Sequence, residues 1–136
     1  GTVEEKIFMY MISFYDIFES LIGEGNTKLL KDGGFIKDLS YQFLRGRTLN
    51  NAFVIIDECQ NFTVHELKTI LTRIGSNSQY VLLGDTGQMD KNFGKDKNAL
   101  DDALIRFKDF DKMGKFVFDE NDSVRDPLIN ELLKFY

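Results

Sequence analysis

The sequence predicts an α/β fold built around a mostly parallel sheet, and three observations predict it. Residues 52–56 form a short apolar run rich in β-branched side chains, and residues 80–83 repeat the pattern. Neither run alternates with polar residues, as expected of strands buried on both faces of a parallel sheet. Between them Thr63 is followed three residues later by Glu66, a capping box that opens a helix with the apolar stripe Val64, Leu67, Ile70, Leu71 and Ile74. Strand, helix and strand in this order make a unit whose strands run parallel.

The remaining elements follow from periodicity and punctuation. Near the start, Ile7, Met11, Phe14, Phe18, Leu21 and Ile22 recur at three- and four-residue steps, so residues 3–22 read as a helix with one apolar face. Gly23 and Gly25 stop it. A short polar stretch then leads through Gly33 and Gly34 to Tyr41, Gln42, Phe43 and Leu44, which suit either a strand or a helix end. After the first strand and the capped helix, Gly75 closes the helix, and the second strand runs into Gly84 and Asp85. Beyond a polar loop, residues 99–107 read as a helix and residues 115–118 as a further short strand, and Asp126 with Pro127 opens a final helix.

Composition bounds the possibilities. With 136 residues, 43% hydrophobic and 29% charged, the chain is expected to form one soluble globular unit over residues 1–136 rather than a disordered or fibrous segment. A formal charge of -5 argues against a surface coated everywhere by nucleic acid but leaves room for a local basic patch. The one cysteine, Cys59, has no partner for an intramolecular disulfide, and no leader or long apolar run is present. The expectation is a cytoplasmic protein without a membrane partner.

Chemistry enters where the strands end. Five apolar residues followed by Asp57 and Glu58 make the Walker B pattern, in which a strand edge presents an acid to the magnesium of a bound nucleotide. Asp57 would hold the ion, usually through water. Glu58 would polarise the water that attacks the terminal phosphate, because the carboxyl edge is where open α/β sheets place their ligands. Acids also begin turns, so this pair alone is equally consistent with a plain loop. The further signal is Asp57-Glu58-Cys59-Gln60 followed, after the next strand, by Gly84-Asp85-Thr86-Gly87-Gln88. These strings resemble motifs II and III of superfamily 1 helicases. On parallel neighbours both would lie on one sheet edge, where Gln60 and Gln88 could hydrogen-bond the phosphate or its attacking water.

The resemblance then narrows. The string Phe43-Leu44-Arg45-Gly46-Arg47-Thr48-Leu49-Asn50, with Thr72-Arg73-Ile74-Gly75 and Gly84-Asp85 with Gln88 and Asp90, looks like the PhoH-like family, and the match covers nearly the whole chain. Tyr10, Tyr15-Asp16, Asp102-Ala103-Leu104 and Asp122-Ser123-Val124-Arg125-Asp126-Pro127-Leu128 follow in the same order. The resemblance implies a P-loop ATPase with a three-layer αβα RecA-like core, ATP and Mg2+ as cofactors, Asp57 and Asp85 at the nucleotide, and action on single-stranded RNA or DNA. No Gly-x-x-x-x-Gly-Lys-Ser/Thr string occurs in these residues. In the family that loop and its preceding strand, central in the sheet, lie upstream, so the chain is expected to be the C-terminal part of the core and inactive alone. Smaller departures are Cys59, where the family usually has Ala, and Met9 and Ser13, where prolines are common.

Basic residues complete the candidates. Arg45 and Arg47 flank a glycine before the Walker B strand, where paired guanidiniums suit a nucleic-acid phosphate or a neighbouring subunit's carboxylates. Arg125 occupies a position similar to that of the helicase arginine that reaches the terminal phosphate. In a single RecA-like core it would reach a neighbour's nucleotide across a homo-oligomeric ring, or else pair with a local acid. Arg73 suits the negative end of its helix, His65 has no second histidine to make a ligand pair, and Cys59 reads as a small packed residue. Two other readings stay open. A protein without the phosphate loop would be a nucleic-acid-binding or interaction module with relict acids, and Asp57, Glu58, Asp85 and Asp90 supply enough carboxylates for a metal-dependent nuclease if they converge.

Overall fold

A computed structural model of the chain describes residues 3–86, 98–119, 122, 124, 126–132 and 135. In order these form α1 (Val3–Ile22), α2 (Glu24–Asp32), a 3-10 turn (Tyr41–Leu44), β1 (Phe53–Ile56), a second 3-10 turn (Cys59–Asn61), α3 (Val64–Leu71), β2 (Gln79–Leu82), α4 (Ala99–Arg106) and α5 (Pro127–Leu132). The architecture is mixed α/β and fits a partial RecA-like fold. No helix among the described residues is long and apolar enough to cross a membrane.

The two predicted strands pair in parallel, with Phe53 opposite Gln79 and Ile56 opposite Leu82. The helix between them begins as its sequence demands. The Thr63 hydroxyl accepts from the Glu66 backbone N–H at 3.2 Å, while the Glu66 carboxylate accepts from the Thr63 N–H at 2.8 Å, so both arms of the capping box form. At the start of α4 the Asn98 side chain accepts from the Asp101 N–H at 2.9 Å. These caps satisfy donors that a helix start leaves without partners inside the helix.

The core lies against one face of the pair. Leu44, Ile56, Cys59, Ile70 and Leu100 form one buried cluster, and Leu67, Ala99 and Ala103 form a second, with Phe62 and Leu82 packed against both. Here the structure differs from the expectation of strands buried on both faces. Phe53 is 65% exposed and Ile55 42% exposed, because the helices packed on this pair cover the side that carries Val54 and Ile56. The apolar run forms a strand, but only half of its side chains find a layer to pack on.

Three other elements depart from the sequence reading. Gly23 breaks the first helix with φ 83°, but Gly25 lies inside a further helix, α2, that the sequence reading treated as a polar connection. Glu24 in its first turn and Lys31 in its last complement the helix dipole. Ile74, placed on the α3 stripe by periodicity, lies beyond the helix and bridges to Leu49. Residues 115–118 form no strand: Phe116, Val117 and Phe118 are 90%, 76% and 82% exposed, and no described strand pairs with them. Local β-propensity does not make a strand where no neighbour supplies the ladder.

The α1–α2 hairpin is fastened through Tyr15. Its hydroxyl donates to the Asp38 carboxylate at 2.7 Å, and the Lys31 ammonium sits 3.9 Å from the centre of its ring. Burial, reinforced by the hydrogen bond to Asp38, pushes the Tyr15 phenol above its ordinary pKa and keeps it a donor.

Candidate functional site

Parallel pairing brings the carboxyl ends of β1 and β2 to one edge, and the two acidic motifs arrive there together. The chain leaves β1 through Asp57 and Glu58, both exposed, and leaves β2 through Leu83, Gly84 and Asp85. The ends stay in register beyond the strands. The Leu83 N–H donates to the Ile56 carbonyl at 2.9 Å, and the Cys59 N–H donates to the Leu83 carbonyl at 2.8 Å.

Glu58 is held in the left-handed region, φ 53° and ψ 40°, as the cap of the Cys59–Asn61 turn. For a residue with a full side chain this conformation costs roughly 1–2 kcal/mol. Such strain persists where the surroundings impose it, and it concentrates at functional sites. The surroundings here are the buried turn itself. Cys59 is 0% exposed and its thiol lies 3.2 Å from the Ile56 carbonyl it donates to. Burial, with Asp57 and Glu58 adding to it against an opposing hydrogen bond from the Leu83 backbone, pushes the thiol pKa up to about 12. Cys59 is therefore a packed anchor, as the sequence suggested, with burial rather than the neighbouring acids as the main cause.

Gln60 is 2% exposed and spans the two motifs. Its Nε2 donates to the Glu58 carboxylate, and its Oε1 accepts from the Asp85 backbone N–H at 3.2 Å. Gly84 makes room for that contact. A Cβ there would lie 2.5 Å from Gln60 Oε1 and 3.1 Å from the Cys59 nitrogen. From the sequence Gly84 is only a motif residue with no task of its own. The signal was its place next to Asp85, but the task depends on a side chain from another motif.

Of the predicted site residues, the structure thus brings together Asp57, Glu58, Gln60 and Asp85. Arg45 and Arg47 are exposed, on either side of Gly46 at φ 74°. Their segment runs alongside α3, from Tyr41, whose hydroxyl donates to Glu66 at 2.7 Å near the helix start, to Leu49, whose N–H donates to the Arg73 carbonyl at 2.9 Å beyond its end. The pair therefore lies on a segment that runs along α3. Gln88, Asp90 and Arg125 lie outside the described residues. Arg73 lies beyond α3 and its cap Thr72 rather than late in the helix, and His65 is exposed on the second residue of α3.

The donor set suits a hard cation of the magnesium kind. Asp57 and Asp85 offer carboxylate oxygens at an open edge, and no cluster of three or more His, Cys, Asp or Glu side chains forms among the described residues. Magnesium is ordinarily held by one or two carboxylates, with phosphates and water completing its shell. A shallow hollow lined by Asn51, Ala52, Phe53, Asn77, Ser78 and Gln79 lies at the opposite edge of the sheet and carries no acid.

Comparison with known proteins gives the family. The family model described as PhoH-like protein matches residues 1–136. A PhoH-like protein of Bacillus subtilis is 35% identical over 136 residues, covering 100% of this chain and 42% of its own length. A PhoH-like protein of Mycobacterium bovis is 34% identical over 136 residues, 38% of its length, and Protein PhoH of Escherichia coli K12 is 34% identical over 138 residues, 39% of its length. The chain thus spans about two fifths of these relatives. With the whole chain matched by the family model, the chain belongs to the PhoH-like family.

Proposed function

We propose that the whole protein of which these residues form a part binds and hydrolyses ATP with Mg2+ and couples hydrolysis to single-stranded RNA or DNA. The observation that supports this reading is that parallel pairing sets Asp57, Glu58 and Asp85 at the carboxyl ends of two adjacent strands, with Glu58 kept in a strained backbone conformation. Asp57 would take the ion, with Asp85 beside the nucleotide. The bound ion would neutralise charge developing on the transferred phosphoryl group. Glu58 would accept the proton of the attacking water, and its exposed position leaves that water a path to it. Gln88 and Arg125 complete the proposed catalytic set, Arg125 by reaching a neighbouring subunit's nucleotide in a ring, and Gln60 stands behind Glu58. Arg45 and Arg47, both exposed, would hold the backbone of the nucleic acid.

These residues contain no phosphate-binding loop, so the proposal places that loop upstream and expects no turnover from residues 1–136 alone. The test is magnesium-dependent ATP turnover by the full-length protein, with and without single-stranded RNA, beside the Glu58→Gln variant. Turnover that disappears in the variant supports the proposal. Turnover that is absent, or indifferent to Glu58, leaves the same fold as a nucleic-acid-binding or interaction module. The nuclease reading needs Asp90 as well as Asp57, Glu58 and Asp85, and the set that the described residues bring together suits a nucleotide-bound ion better.

A further inference from the structure

We infer that Gln60 is a positioning residue that ties the Glu58 carboxylate to the end of β2, holding Glu58 through one arm of its amide while the other arm grips the Asp85 backbone. The inference rests on the proposed hydrolysis and gives Gln60 a task there that differs from touching the phosphate. A carboxylate only accepts and a backbone N–H only donates, so the amide has one orientation that serves both, Nε2 towards Glu58 and Oε1 towards Asp85. The side chain is 2% exposed, so turning it towards a ligand at the open edge would break both bonds and vacate a buried place.

The rest of the turn is arranged to hold that amide still. The backbone of Cys59 is bonded to Leu83 on the β2 side, and its thiol to Ile56 on the β1 side. Gly84 leaves space where any Cβ would collide with Gln60 Oε1. Glu58 itself has rotatable bonds and an exposed carboxylate, so its backbone conformation alone does not fix where its oxygens lie. The Gln60 amide does. A shift at the tip of β2, where Asp85 stands, is therefore passed to the water-activating carboxylate through one side chain.

The test is a double-mutant cycle in the full-length protein, read by single-turnover hydrolysis of ATP with Mg2+ and by affinity for a non-hydrolysable ATP analogue. Gln60→Met keeps length and volume and removes both arms. It is expected to slow hydrolysis roughly tenfold to a hundredfold through misplacement of Glu58, with analogue affinity retained. In a Glu58→Gln background the same substitution is expected to change the rate by less than about twofold, because its effect passes through the group already removed. Should Gln60→Met lose analogue binding through misfolding, Gln60→Glu keeps the acceptor for the Asp85 N–H and sets a repelling carboxylate against Glu58 in place of the donor, and is expected to slow hydrolysis at least as much in the wild-type background and much less beside Glu58→Gln, whose amide can donate to it. An equal loss in both backgrounds, or no loss in the wild-type background, overturns the inference while leaving the proposed function standing. A wild-type protein without magnesium-dependent turnover overturns both.

Discussion

At their amino ends β1 and β2 are joined by a seam of backbone and small polar groups. Leu49 bonds to Arg73 and Gly75, Asn51 to Ser76, the Asn50 side chain to the Ser76 N–H at 2.8 Å, and the Ser78 hydroxyl to Leu49 and Ala52. At their carboxyl ends the same strands are joined by Leu83 to Ile56, Cys59 to Leu83 and the Gln60 amide to Asp85, and every acid of the candidate site stands there. Both ends contain left-handed residues. At the amino end they are Asn51 and Asn77, φ 52° and 54°, a residue type whose short amide tolerates that region. At the carboxyl end it is Glu58, which does not share that tolerance. The same backbone geometry is thus cheap at one edge and costly at the other, and the costly instance coincides with the proposed chemistry.

The division can be broken from either side. The largest expected effect is at the carboxyl edge. In the full-length protein Glu58→Gln should lower ATP turnover by roughly 10²- to 10⁴-fold, the usual worth of a general base, with thermal unfolding unchanged. A large fall in melting temperature would show that the edges are not separable. Next comes Gly75→Ala at the seam. Its Cβ would lie 2.1 Å from Asn50 Oδ1 and 2.6 Å from the Leu49 carbonyl, so the backbone must move. Denaturant titration should register a loss of about 1–3 kcal/mol, as for overpacking, with the ratio of Glu58→Gln to parent turnover preserved.

Two smaller changes sharpen the comparison. Thr63→Ala removes one arm of the capping box where the chain returns from the carboxyl edge into α3, and should cost about 1 kcal/mol in denaturant titration. Asn50→Ala removes the acceptor of the Ser76 N–H, which is exposed and can turn to water, so about 0.5–1 kcal/mol is expected. Combining Asn50→Ala with Gly75→Ala should recover only part of the Gly75→Ala loss, because the Leu49 carbonyl still blocks the new Cβ. Full recovery would mean that the amide alone makes that contact tight.

What could be read from the sequence was what local chemistry decides. Thr63 and Glu66 cap a helix whatever surrounds them, and residues 53–56 and 79–82 pair as the strand, helix, strand order requires. The meeting of Asp57 and Glu58 with Asp85 followed from parallel pairing alone. What could not be read depends on partners. α2 carries only Leu29 and Leu30 as large apolar residues and holds Gly25, so its pattern gave no helical stripe. Residues 115–118 have strand-like side chains but no ladder, and Phe53 and Ile55 were expected to be covered by a layer that the described helices do not supply. At the site, residue type showed that Gln60 would hydrogen-bond, but only the fold shows that its partners are Glu58 and Asp85.

The exposed segment Phe116-Val117-Phe118 also bears on the quality control of the polypeptide. It lies between Lys115 and Asp119, one charge on each side of a short, aromatic, β-branched stretch. Charges in such flanking places act as gatekeepers, since stacking copies of the stretch into an amyloid-like ladder would bring like charges into register. Neutralising both gatekeepers would therefore be felt first as lower soluble yield, before any change in the chemistry of the acidic edge.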